Sequence, residues 1–168
     1  MPFRLDIKFK ISKKGEKTLY APRVKKAFQE ALGFCAQAWH TMILPKHFKY
    51  SANAEYHYKK RCWSYMKNKG KKFHHQYPLV WTGNTRNLML GSMSYKATPN
   101  QVTMRVSAPA YFSYTGGNKP DMKNEVKRFS AADMKMLRTW FANKVVSILS
   151  GNPMTRSEMN FVNASPKR

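Results

Sequence analysis

The residues able to do acid–base, nucleophilic or metal chemistry are few here, and poorly spaced for it. The 168-residue chain carries 8 Asp+Glu, 5 His and 2 Cys against 31 Lys+Arg. A zinc-type site needs His, Cys or carboxylate ligands that return to one point. His74 and His75 are adjacent, which sends their side chains apart in a helix or a strand, and Cys62 near His57 has no second cysteine at a ligand spacing. Asp121 and Glu125 are the closest carboxylates on one possible helical face, and Asp133 is placed to cap a helix. No serine sits in a nucleophile elbow, and Gly116-Gly117 reads as a turn rather than a phosphate loop. The sequence therefore predicts no catalytic residue, no metal and no cofactor, and a chain that is not an enzyme.

The chemistry it does offer is charge. The formal net charge is +23, which implies a polyanionic surface nearby: nucleic acid, anionic lipid or an acidic protein. Residues 46–76 concentrate it, with nine Lys/Arg and one acid, Glu55, interleaved with Phe48, Tyr50, Tyr56, Tyr58, Trp63, Tyr65 and Phe73. Lysines there would neutralise phosphates and Trp63 or Tyr65 would stack on bases. The same residue types also anchor protein–protein interfaces, and charge alone does not separate the two. The contact candidates are Lys59, Lys60, Arg61, Trp63, Lys71 and Lys72. No period persists through the segment, and residues 68–72 read as a turn-like basic run. Residues 46–77 are therefore expected to leave the core as a loop excursion, with one helical turn over 52–58.

The elements around it are better marked. Phe3, Leu5, Ile7, Phe9 and Ile11 alternate with Arg4, Asp6, Lys8 and Lys10, a strand with one buried and one basic face. Pro22 suits a first helical position, and Val24, Ala27, Phe28, Ala31, Leu32, Cys35, Ala38, Trp39 and Met42 follow at helical spacing until Pro45 stops them near Leu44. Cys35 on that stripe reads as a small buried hydrophobe. Gly33 is expected either to let another helix come close or to be a neutral surface glycine. Residues 91–98 and 101–107 are two short strands about a Pro99-Asn100 turn. Ser130 and Asp133 make a capping pair, followed by Met134, Leu137, Phe141, Val145 and Ile148 and closed by Gly151 and Pro153. The face holding Phe28, Leu32, Phe141 and Val145 is expected in the core.

These signals predict a single α+β domain over residues 1–151. A small antiparallel sheet packs against an N-terminal and a C-terminal amphipathic helix, and residues 152–168 form an arm or tail. There is no apolar run of membrane-spanning length, so no membrane partner is expected, and the two cysteines form no disulfide framework, which fits a reducing cytoplasm.

Between the basic segment and the hairpin lies Pro78-Leu79-Val80-Trp81-Thr82-Gly83, continuing into Asn84-Thr85-Arg86. Pro78 biases the chain towards an extended entry, Leu79, Val80 and Trp81 want burial, Thr82 is a good N-cap, and Gly83 permits a tight entry. A short helix over 83–90 is expected, with Trp81 as a core anchor. Further on stands Ala108-Pro109-Ala110-Tyr111. The order of these stretches resembles the phage virion morphogenesis and tail-completion proteins, the small head–tail joining proteins of tailed phages. Pro78, Leu79, Thr82, Gly83 and Arg86 match that family's Pro-Leu-x-x-Thr-Gly-x-Leu-Arg motif, with Thr85 in the place of its leucine, and 108–111 matches a second, Pro-Tyr-Ala-like stretch.

The resemblance implies a non-enzymatic structural protein of the virion, assembled in the host cytoplasm. It would form a homo-oligomeric ring, often a hexamer, at the neck or tail. Its neighbours would be connector and tail-tube proteins, with genomic DNA in the lumen. Arg86 would then either brace the corner or reach a neighbouring subunit. The alternative reading from charge alone is a basic nucleic-acid-binding protein, a packaging or ribosome-associated factor. A small hydrolase is disfavoured by the scarcity of carboxylates.

Overall fold

The structure, a computed structural model, describes residues 3–11, 21–80, 83–91, 93–113 and 120–152. Strand β1 (Phe3–Lys10) forms where the two-residue alternation predicts it. It buries Leu5 and Ile7 and leaves Arg4, Asp6, Lys8 and Lys10 exposed. Helix α1 (Pro22–Ala38) starts with Pro22 in its first turn, where a missing N–H costs nothing. It does not simply stop. Pro45 has no N–H to continue the ladder, and the chain runs through a π-helical turn (Trp39–Ile43) and a 3₁₀ turn (Leu44–Phe48). That change of pitch buries Trp39, Ile43, Leu44, His47 and Phe48 together.

Two short helices follow, α2 (Ala52–Glu55) and α3 (Trp63–Phe73). Then come α4 (Gly83–Gly91), strands β2 (Met93–Ala97) and β3 (Gln101–Ala108), α5 (Met122–Glu125) and the long α6 (Ala131–Ser150). The sheet order is β1-β3-β2, antiparallel throughout, with Leu5 opposite Val106 and Met93 opposite Val106 on the other side. The N-terminal strand thus closes onto the hairpin's second strand. The hairpin turns at Pro99-Asn100, as expected, and Thr98 fixes it: its N–H donates to the Gln101 carbonyl at 2.8 Å and its hydroxyl accepts from the Gln101 N–H at 3.2 Å.

One sheet face, carrying Val102, Met104 and Val106, packs on α1 and α4. Helices α1 and α6 pack on each other, with Phe28 edge-on to Phe141 at 5.2 Å between ring centres. This is the expected α+β class, with the sheet set against an N-terminal and a C-terminal helix. The capping box of α6 also forms: the Asp133 N–H donates to Ser130 Oγ at 3.1 Å and the Ser130 N–H to Asp133 Oδ2 at 3.3 Å. Gly151 ends the helix at φ 77°, a conformation open to glycine.

Three expectations need correction. Residues 46–77 are not a loop excursion: they hold α2 and α3, and Phe48, Ala52, Tyr56 and Tyr58 belong to the hydrophobic core. Residues 68–72 are not a turn but the second half of α3. On α6 the buried positions are Asp133, Leu137 and Trp140, while Met134 is exposed. The inward stripe starts one residue earlier than apolarity suggests, because capping and a bond from Lys46 satisfy the Asp133 carboxylate. Gly33 does admit a close neighbour, though not a helix: a Cβ there would lie 3.0 Å from the Tyr95 ring of β2.

Candidate functional site

Helix α3 carries three of the contact candidates, Trp63, Lys71 and Lys72. Trp63, Ser64, Lys67, Asn68, Lys71 and Lys72 form its exposed face, and Tyr65, Met66, Lys69, Gly70 and Phe73 turn inward. Tyr65, Met66 and Phe73 keep the usual apolar-in pattern, and Trp63 outside and Lys69 inside are its two exceptions. Trp63 is 73% exposed with the Lys67 ammonium 4.5 Å above its ring. Lys69 is buried, donates to the Tyr77 carbonyl at 2.5 Å, and has its pKa brought down to about 8 by burial and by nearby Arg61. Lys59 and Lys60 precede the helix and are exposed.

Arg61 is not a free contact residue. It grips Glu125 of α5 with two donors, Nη1 at 2.9 Å and Nη2 at 2.5 Å, and the Lys59 N–H donates to the same carboxylate at 3.0 Å. Glu125 is buried, so the pair ties the approach to α3 onto α5. Asp121, the other half of the supposed carboxylate pair, caps α5 by accepting from the Asn124 N–H. The two carboxylates therefore hold separate structural posts.

At the corner, Pro78, Leu79 and Val80 are buried. A turn falls at Pro78-Leu79, where Leu79 adopts φ 57°, a left-handed conformation rare for a bulky residue and held by its surroundings. Helix α4 starts at Gly83 as expected. Trp81 and Thr82 lie outside the described residues. Arg86 is exposed on α4. Thr85 is buried and its hydroxyl hydrogen-bonds the Tyr111 hydroxyl. The two stretches that carry the resemblance, 78–86 and 108–111, thus meet in space.

A polar cluster beneath the basic segment went unforeseen. His47 stacks on Tyr56, ring centres 3.9 Å apart, and its Nδ1 shares a hydrogen bond with the Tyr58 hydroxyl. Lys46 donates to Asp133 at 2.7 Å, Ser130 donates to Glu55 at 3.4 Å, and Arg128 donates to the Tyr56 and His57 carbonyls. Burial raises the Tyr56 and Tyr58 phenols, with Asp133 and Glu125 respectively adding to it. Burial also lifts the Cys35 thiol to about 12, and its Sγ donates to the Leu137 carbonyl at 3.6 Å, so this cysteine is a packed hydrophobe without nucleophilic character.

His47 gives this cluster a pH signature. Burial depresses its pKa to about 4; the Asp133 charge opposes that shift and Lys46 adds to it. An unfolded histidine takes up its proton near pH 6.5, so acid favours the unfolded chain in the window from there down to about 4. Asp133 acts lower: burial raises its carboxyl, but bonds from Lys46 and Ser130 more than offset this, so its contribution is lost as pH falls through its depressed pKa. Urea midpoints across pH 7 to 4.5 should give a stability slope of about 1.4 kcal/mol per pH unit from His47. His40 and His75, also depressed by burial, add in the same sense. The slope should flatten in His47→Gln; an unchanged slope would contradict the buried, neutral imidazole.

Among the described residues no group of His, Cys, Asp and Glu is arranged to hold a metal, and no helix is long and apolar enough to cross a membrane. The buried ionisable groups described above are held by caps, ion pairs, ring stacks or bonds to backbone carbonyls. Set against family models, curated proteins and solved structures, the chain matches none.

Proposed function

We propose that this chain is a structural protein of a tailed-phage virion, completing the tail or joining it to the head at the neck as one subunit of an oligomeric ring. It acts by shape and charge complementarity and performs no chemistry. The observation that carries the reading is the Thr85–Tyr111 hydrogen bond. It joins the Pro78–Arg86 and Ala108–Tyr111 stretches, which are the two motifs of the resemblance, through buried Thr85 of α4. Exposed Arg86 of the same helix is the residue that reaches a neighbouring subunit. A heterologous ring gives the +23 charge a use, because its lumen would carry the genome and its rims would meet connector and tail-tube proteins.

The genetic test is an early stop codon in the gene. Electron microscopy of the lysate should then show DNA-filled heads and tails that accumulate unjoined, and supplying the intact chain in trans should restore joined particles. Normal joined particles without the chain would overturn the proposal.

A second reading, a free nucleic-acid-binding protein, is favoured by one observation: Trp63 lies open to solvent on the same helical face as Lys67, Lys71 and Lys72. Such a face offers one stacking ring flanked by cations.

A further inference from the structure

The outer face of the sheet is strongly basic. Arg4, Lys8 and Lys10 of β1, Lys96 of β2 and Arg105 of β3 all project from it, and most of them stand well into solvent. The one acid among them, Asp6, is bonded to Arg105 at 3.2 Å. Arg4, Lys8, Lys10 and Lys96 make no ion pair with any described residue. A shallow cavity of about 440 Å³ lies over the middle of this face, between Lys8, Lys96 and Arg105.

We propose that the outer face of the three-stranded sheet, rather than the 59–72 stretch, is where the chain takes up the phosphodiester backbone of a nucleic-acid duplex. Three arguments select that partner. The face is polar from edge to edge: the positions beside the cations are Ser94, Gln101, Thr103 and Ser107. A protein partner would need an aromatic or aliphatic anchor at the centre of its footprint, and the outward positions of the central strand β3 carry none. A single strand would need successive rings for its bases to stack on, and the cavity over this face offers one, Tyr95 of the edge strand β2. A duplex backbone needs cations alone. The geometry has the right reach: from Arg4 to Lys10 the strand advances about 20 Å, the axial length of about six base pairs. Contacts of this kind read no sequence, so binding is independent of base order. The inference stands apart from the ring, since it concerns the face of one subunit.

The test is fluorescence anisotropy of a labelled mixed-sequence DNA duplex with the full chain, over about 50–200 mM salt. One variant carries Arg4→Gln, Lys8→Gln, Lys10→Gln and Lys96→Gln. A control of equal charge carries Lys59→Gln, Lys60→Gln, Lys71→Gln and Lys72→Gln. The slope of log K against log salt should become shallower by about 0.9 for each phosphate that is no longer neutralised. The sheet variant should therefore flatten it by two or more, and the control by less than half as much. A duplex RNA of the same length should follow the same pattern, since the backbone chemistry is shared. If the fourfold variant does not fold, Lys8→Gln and Lys96→Gln singly should each lower the slope by about 0.9, and Lys8→Arg with Lys96→Arg should leave it unchanged. Four outcomes would overturn the proposal: no duplex binding by the native chain, a flattening in the control equal to that of the sheet variant, single strands bound as tightly as duplex, or binding to an acidic polypeptide in place of the duplex.

Discussion

Alanine in place of Trp39 is expected to cost about 3–5 kcal/mol of folding stability, as for other fully buried large aromatics. A domain of this size is held by only about 5–15 kcal/mol, so the variant should lose about a fifth or more of its stability. Trp39 sits where α1 gives way to the π turn, fully buried with Ile43 and Leu44. Its removal leaves a cavity among elements already committed elsewhere: α1 is packed against both α6 and the sheet, so the site has little room to collapse. Urea unfolding followed by circular dichroism measures the loss, with the m-value checking that unfolding remains two-state. A loss below about 1 kcal/mol would place the core's centre elsewhere.

Glu125→Gln should be nearly as damaging, at about 3–5 kcal/mol, for an electrostatic reason. The carboxylate is buried and accepts from Arg61 twice and from the Lys59 N–H. Glutamine keeps the shape but strands the guanidinium, which is itself only 11% exposed, without its counter-charge. The cost is that of an uncompensated buried charge. Replacing both partners, Arg61→Met with Glu125→Leu, should therefore recover most of the loss, since well-packed apolar pairs commonly match buried ion pairs. The comparison of single and double variants in urea is a coupling measurement. If the double variant were as unstable as the sum of the singles, the two side chains would be acting independently and the pairing account would fail.

The pattern of what the sequence shows follows from the range of each signal. Strand β1, helix α4, the hairpin about Pro99-Asn100 and the Ser130–Asp133 cap all rest on neighbours within a few residues, and all form where period and turn chemistry place them. Helix α3 is weakly marked because Trp63 points out and Lys69 points inward to the Tyr77 carbonyl, two exceptions to a stripe that Tyr65, Met66 and Phe73 otherwise keep at helical spacing. The partnership of Arg61 with Glu125 joins residues 64 apart in sequence, so a nominal surface cation proves to be structural. The same holds for His47, whose stack on Tyr56 converts part of a supposed surface segment into core. The basic face of β1 is visible as alternation. That Lys96 of β2 and Arg105 of β3 extend it into one cationic surface depends on register, which only the sheet supplies.

Two basic surfaces therefore have different characters. The α3 face mixes lysines with an open tryptophan and suits a contact with protein as well as with bases. The sheet face is cation, amide and hydroxyl, and suits phosphates. In a ring, one surface can serve a neighbouring subunit while the other serves the genome, which gives the excess charge two separate uses.

The most direct test of the account is native mass spectrometry of the full chain at moderate salt, with and without duplex DNA. The virion proposal predicts a discrete closed oligomer of a single stoichiometry that forms without DNA. A chain that stays monomeric without DNA, and gathers on DNA in no fixed number, would contradict it and leave the nucleic-acid-binding reading in its place.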